Sequence, residues 1–334
     1  MTPLEIAVVG ATGAVGEQIL TALSRSTLPI GVVRVYGSAN RSRSVDEVSY
    51  GSENLPVEPV TSFEATSADV VILCAPGPIS ARLAAGLKHR GPLVVDIGNS
   101  SAGIEDAPLV HPTLTTALPA EVDGLVRTPS PVGWLLSLVV APLIDAGLTG
   151  VSGTVMLPAT SRGRGAMEEL GQQVVASLTS QDPPRRIFPD GLAFDVLAED
   201  TPAEEWSEAE RLAAEEISSL TGLGAERIGV SLGTFPWFAG LVASLHLRGV
   251  GYEEAETALN DAPGLKGLST SAKLRPRAVS GRDIVAWGRL RADPGGDGVH
   301  VWVVADNLVG AGAGAALAVL QLAVDAGKLP RRSE

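Results

Sequence analysis

Few side chains in this 334-residue chain stand where they could make or break a covalent bond. The stretch TPSPVGWLLSLVVAPL, Thr128 to Leu143, leads a proline-rich loop into an unbroken apolar run, as a loop enters a buried helix. Helix N-termini of that kind hold nucleophiles or bind anions. Yet the residue at the turn is Pro131, which has no donor, acceptor or reactive atom. Ser130 beside it reads as a helix-capping or turn hydroxyl. The single cysteine, Cys74, ends an apolar run and reads as a small core residue. The four histidines, His89, His111, His246 and His300, have no metal-ligand spacing among themselves. His89 suits a helix end, and His246, between Leu245 and Leu247, reads as a satisfied sheet residue. Glu168 and Glu169, and Glu204, Glu205, Glu208 and Glu210, read as solvated helix faces. No metal site and no acid/base pair is expected.

Backbone chemistry is easier to find. Gly10-Ala11-Thr12-Gly13-Ala14-Val15-Gly16 follows a β-rich run, Ile6–Val9, and opens a helical pattern over Gly16–Ser24. Glycines in that context allow a tight turn and let the backbone approach a pyrophosphate at the helix N-terminus. The spacing is GxxGxxG, not the strict GxGxxG. The second strand, Gly31–Tyr36, ends in Gly37-Ser38-Ala39-Asn40-Arg41-Ser42-Arg43, where an NAD site would carry an acid. Hydroxyls and arginines there suit a 2′-phosphate, so NADP is expected over NAD.

These motifs need a scaffold. Val70–Cys74 and Leu93–Ile97 are apolar runs of the kind shown by parallel strands covered on both faces, with helical spacing over Ile79–Lys88 between them. Strand–helix alternation predicts an α/β fold with an N-terminal Rossmann-type doubly wound parallel sheet. From about Gly150 the pattern changes. Strands are expected at Val151–Leu157, Gly229–Gly233, Ala243–Arg248, Ile284–Leu290 and His300–Val304, with long helices at Gly165–Leu178 and Ser207–Leu220. That describes an α+β domain, after which a helix over Gly312–Asp325 packs back on the first.

A net charge of −13 argues against nucleic acid and anionic membranes as partners. Val132–Ile144 is too short to span a membrane and Leu308–Val324 is rich in Gly and Ala, so both read as buried helices. With one cysteine and no leader-like N-terminus, a cytoplasmic location is expected.

VVGATGAVG, NSSA at Asn99–Ala102, RGRGAMEEL at Arg162–Leu170, FPDGLAFDV at Phe188–Val196, GRLRADPGG at Gly288–Gly296 and WVVADNL at Trp302–Leu308 together resemble aspartate-semialdehyde dehydrogenase. The resemblance runs in order from Ile6 to about Val324. It implies an NADP-binding Rossmann domain over residues 1–129 plus 309–334, and a dimerisation and catalytic domain inserted at 130–308. It also implies a homodimer, with a further protein partner conceivable. For the cofactor it points to Gly10, Thr12, Gly13, Ala14, Val15, Gly16, Ser38, Arg41 and Ser100. The family's chemistry oxidises an aldehyde through a thioester that phosphate then cleaves, and it needs a thiolate, a histidine and cationic residues.

Carried over one by one, those residues are missing. The nucleophilic cysteine falls on Pro131, the following glutamine on Leu157, the carboxylate-binding arginine on Thr234 and the histidine on Leu241. The phosphate-binding arginine falls near Ile104. The basic helix residue after Trp206 is replaced around Ser207–Glu210 by an acid-rich stretch, and Val309-Gly310-Ala311-Gly312 replaces an Arg-Lys pair. The position of the base that Ser130 would need is occupied by Leu241. The chain therefore looks most like the Usg-type branch, which keeps the fold without the cysteine, and no catalytic residue is expected. Two other readings stand beside this one. A divergent NADP-dependent oxidoreductase would transfer hydride directly, and a structural subunit would bind no ligand.

Overall fold

The computed structural model describes residues 3–38, 46–63, 68–75, 77–119, 124–199, 201, 205–269 and 273–329. The chain divides into two compact units, Met1–Pro131 with Ala311–Glu334, and Val132–Gly310.

The first unit begins with β1 (Leu4–Val9), α1 (Ala14–Arg25) and β2 (Ile30–Gly37), followed by the hairpin strands β3 (Glu47–Tyr50) and β4 (Glu53–Pro59). β5 (Val70–Leu73), α2 (Gly77–Leu87), β6 (Leu93–Asp96) and β7 (Leu125–Arg127) complete its sheet, in the order β3-β4-β2-β1-β5-β6-β7. β1, β2, β4, β5, β6 and β7 pair in parallel, and only β3 runs antiparallel. β5 and β6 are buried along their whole length, as strands with covered faces must be. The β3–β4 hairpin and β7 had no signal in the sequence pattern. β4 (ENLPVEP) carries two prolines and a largely exposed face, which reads as loop.

The second unit opens with α3 (Pro131–Ile144), whose residues from Val132 to Val140 are all buried. Then come β8 (Gly150–Leu157), α4 (Arg164–Leu178), the short β9 (Leu197–Ala198), α5 (Glu208–Thr221), β10 (Ile228–Thr234) and β11 (Leu241–Arg248). α6 (Tyr252–Asp261), β12 (Leu265–Gly267), α7 (Pro276–Val279), β13 (Val285–Ala292) and β14 (Gly298–Ala305) follow. Their sheet is mixed, in the order β12-β13-β14-β11-β8-β10-β9. On one face Val151, Val155, Leu245, Leu247, Val299, Val301 and Val303 are buried. On the other, Ser152, Ser244, His246, Arg248 and His300 are half-buried and Thr154 and Ser231 exposed.

After β14 the chain makes a π-helical turn, Val309–Gly314, before α8 (Ala315–Asp325). α8 therefore begins three residues later than the periodicity indicates. Its Ala316, Val319, Leu320 and Ala323 join Ile19, Leu20 and Leu23 of α1 in the first unit's core. Among the described residues no helix is long and apolar enough to cross a membrane.

The reading of Glu169 as solvated is corrected: it is 4% exposed. Its carboxylate accepts hydrogen bonds from the backbone N–H groups of Arg186, Ile187 and Phe188 at 3.0–3.1 Å. Gln173, one turn on, accepts from Leu192 and Ala193, and the segment held this way buries Phe188 completely. Glu210 is likewise committed. It closes a capping box with Ser207 at the start of α5 and also accepts from the Leu232 N–H at 2.9 Å. Removing the Glu169 acceptor strands several buried donors, so Glu169→Ala should lower the unfolding free energy by about 3 kcal/mol in urea titrations, and Glu169→Gln by less.

Candidate functional site

In the first unit, β1 lies between β2 and β5, and the two crossovers diverge at the carboxyl ends of β1 and β5, the position where such sheets bind ligands. The glycine loop sits there. Gly10 has φ +94°, and a Cβ on it would come within 2.6 Å of the Cys74 and Ala75 backbone. Gly16, buried in the first turn of α1, has no room for a Cβ against Gly10 and Ala11. Gly13 is the α1 N-cap with no side-chain cap, so Ala14, Val15 and Gly16 open the helix with uncapped N–H groups. Thr12 packs against Gly37 at the end of β2, followed by exposed Ser38. Arg41 and Arg43, expected on a 2′-phosphate, lie outside the described residues.

Cys74 donates through Sγ to the Val9 carbonyl at 3.2 Å, and burial pushes its thiol up to about 12. It is a protonated structural thiol at neutral pH.

The NSSA segment is anchored from below by groups the sequence reading passed over. Asp96, at the end of β6, accepts from Ser101 N–H at 2.7 Å and Ser101 Oγ at 2.6 Å. Arg127, at the end of β7, donates to Asn99 Oδ1 at 2.8 Å and to the Ala107 carbonyl at 2.7 Å. Thr128 accepts from the Gly98 N–H at 3.1 Å. Asn99 is held at φ +61° in this frame, and Ser100 Oγ faces Gly77 at the start of α2. The acid in LVVDI was the available signal, because a carboxylate ending a buried strand needs donors.

In the second unit the positions carried over from the resemblance converge. Thr234 pairs with Leu157 where β10 and β8 end, and Leu241 opens β11, which pairs with β8 from Met156 back. All three are buried. Thr234 Oγ has no hydrogen-bond partner among the described residues. Pro131 is the first residue of α3, and Ser130 directly precedes it. In that first turn Gly133 lies directly against the Glu216 carboxylate of α5, which is 2% exposed; a Cβ there would overlap it. Gly310, in the π turn, is pressed in the same way on the Trp134 ring. The Glu216 carboxyl group thus fills space beside the first turn of α3 from inside the unit.

The histidines have no metal-ligand spacing along the sequence, but in the fold His246 and His300 face each other with Asp293, each offering one possible ligand atom within 4.8 Å of the others. β-Pairing, not sequence spacing, makes that group.

A semialdehyde dehydrogenase NAD binding domain model matches residues 5–120, and the family's dimerisation domain model matches residues 140–310. The chain belongs to the semialdehyde dehydrogenase family. It is 29% identical over 332 residues to an aspartate-semialdehyde dehydrogenase of Prochlorococcus marinus, covering 96% of this chain and 95% of that one. It is 27% identical to a USG-1 protein homolog of Azotobacter vinelandii, covering 97% and 98%. The solved structure of a probable aspartate-semialdehyde dehydrogenase from Pseudomonas aeruginosa superposes with a TM-score of 0.83 at 26% identity, over 96% of this chain and 98% of that one. The first unit thus carries the family's NAD-binding domain and the second its dimerisation domain.

Asp96 gives this frame a pH signature. Burial raises its carboxyl above the ordinary value, against the opposing pull of the Ser101 bonds and the Arg127 charge. A carboxyl raised in the folded state takes up protons more readily than in the unfolded chain, so its contribution to stability falls as pH rises past the unfolded value of about 3.9. Asp96→Asn, which does not ionise, should therefore gain on the wild type as pH rises above about 4 in thermal denaturation.

Proposed function

We propose that this chain is a catalytically silent homologue of aspartate-semialdehyde dehydrogenase. In this reading residues 1–129 plus 309–334 hold NADP, and 130–308, the former catalytic part, now form a homodimer. It is a cytoplasmic protein acting by binding or regulation. The observation that carries the reading is the gathering of Leu157, Thr234 and Leu241 at one end of three adjacent strands, with Pro131 opening α3. Aliphatic side chains and a proline supply neither thiolate nor imidazole nor guanidinium in any protonation state. The family likeness to a USG-1 homolog fits a divergent member, and the polar face of the second sheet offers a dimer surface.

A second reading has its own support. The glycine loop and the Asp96–Ser101–Asn99–Arg127 frame are intact, and hydride transfer needs a cofactor and orientation but no thiol. An NADP-dependent reaction on a different carbonyl would use that frame.

The purified protein should show no phosphate-dependent oxidation of aspartate semialdehyde; turnover at ordinary enzyme concentration overturns silence. Calorimetric titration with NADP, NAD and ATP should show NADP binding tightest. Absence of heat and of thermal stabilisation with all three would leave a ligand-free structural subunit. Sedimentation should give a dimer.

A further inference from the structure

We propose that His246, Asp293 and His300 form a binding site for a divalent transition-metal ion of the zinc class on the polar face of the second sheet. The inference is independent of whether the chain is catalytically silent. His246 and His300 are direct cross-strand partners on β11 and β14. Their rings stack with centroids 4.6 Å apart and planes inclined by 16°. Asp293 comes from the turn joining β13 to β14. Its Oδ1 lies 3.0 Å from His300 Nε2 and 4.0 Å from His246 Nε2.

Those separations bracket the donor–donor distance of about 3.4 Å that a tetrahedral ion with bonds of about 2.0–2.1 Å requires. Two imidazoles and one carboxylate are a donor set for borderline divalent ions, and three protein ligands leave one position open.

Three further observations point to an ion and not merely to a His–Asp hydrogen bond. His246 Nε2 is buried and has no hydrogen-bond partner among the described residues, a cost that coordination would remove. Asp293 Oδ2 accepts from the Gly295 N–H at 3.0 Å, which turns Oδ1 towards both rings, the kind of outer support that metal-binding carboxylates have. The cross-strand neighbours do not compete: Arg291, the β13 partner of His300, is exposed and donates to the Arg289 carbonyl on its own strand. Across from His246 on β8 stands Ser152, small and uncharged.

The test uses the full chain, untagged and stripped with a chelator. Zinc chloride is titrated by calorimetry with a competing chelator, and cobalt(II) is followed by its visible ligand-field absorption. One ion per chain is expected, with intense cobalt bands typical of four-coordination and an upward shift of the melting temperature. His246→Ala, His300→Ala and Asp293→Ala should each weaken binding at least about tenfold, whereas His89→Ala should not. Where an alanine variant fails to fold by circular dichroism, His246→Gln, His300→Gln or Asp293→Asn replaces it. No stoichiometric binding overturns the proposal. So does binding that survives any one of the three substitutions.

Discussion

The carboxyl ends of β1 and β5 approach so closely that no side chain fits between them. Gly10 supplies the left-handed turn there, and Gly16 lets α1 begin against the same strand end. Everything that gives the first unit a ligand-binding character follows from that clearance. The uncapped N–H groups of α1 point out of the sheet, Thr12 is set against Gly37, and Cys74 is sealed against the Val9 carbonyl. A residue with a side chain at either position would push β5 or α1 away and close the space that a diphosphate occupies.

The parallel sheet of the first unit, the glycine loop and the long strands of the second unit were legible in the sequence because each has a local periodic or steric signature. Leu93–Asp96 and Val70–Leu73 are buried throughout and look it. The edge hairpin β3–β4 was not legible: its prolines and charged residues mimic a loop, and only pairing with β2 makes it sheet. The polar residues were hardest to place. Glu169 sits in a pattern, RGRGAMEEL, that fits an exposed helix face as well as a buried one, and its partners lie 17–19 residues away in a segment of no regular structure.

The histidine pair marks the limit most sharply. His246 and His300 meet through antiparallel register between β11 and β14, and Asp293 joins them from a hairpin turn. Sequence spacing records helical and tight-loop ligands, but pairing across strands leaves no trace in it. Leu157, Thr234 and Leu241 are neighbours through strand pairing too, parallel between β8 and β10 and antiparallel between β8 and β11, but likeness of motif had already singled these positions out.

Glu216 changes what it would take to make α3 reactive. A helix N-terminus favours a thiolate by offering its positive end to a new negative charge. Here a carboxylate already packs into the first turn, against Gly133. A cysteine placed at 131 would enter a helix start that an acid side chain already shares. The first turn of α3 is occupied from within the unit. Opening it takes the loss of an acid as well as the gain of a nucleophile, and neither change alone restores the other.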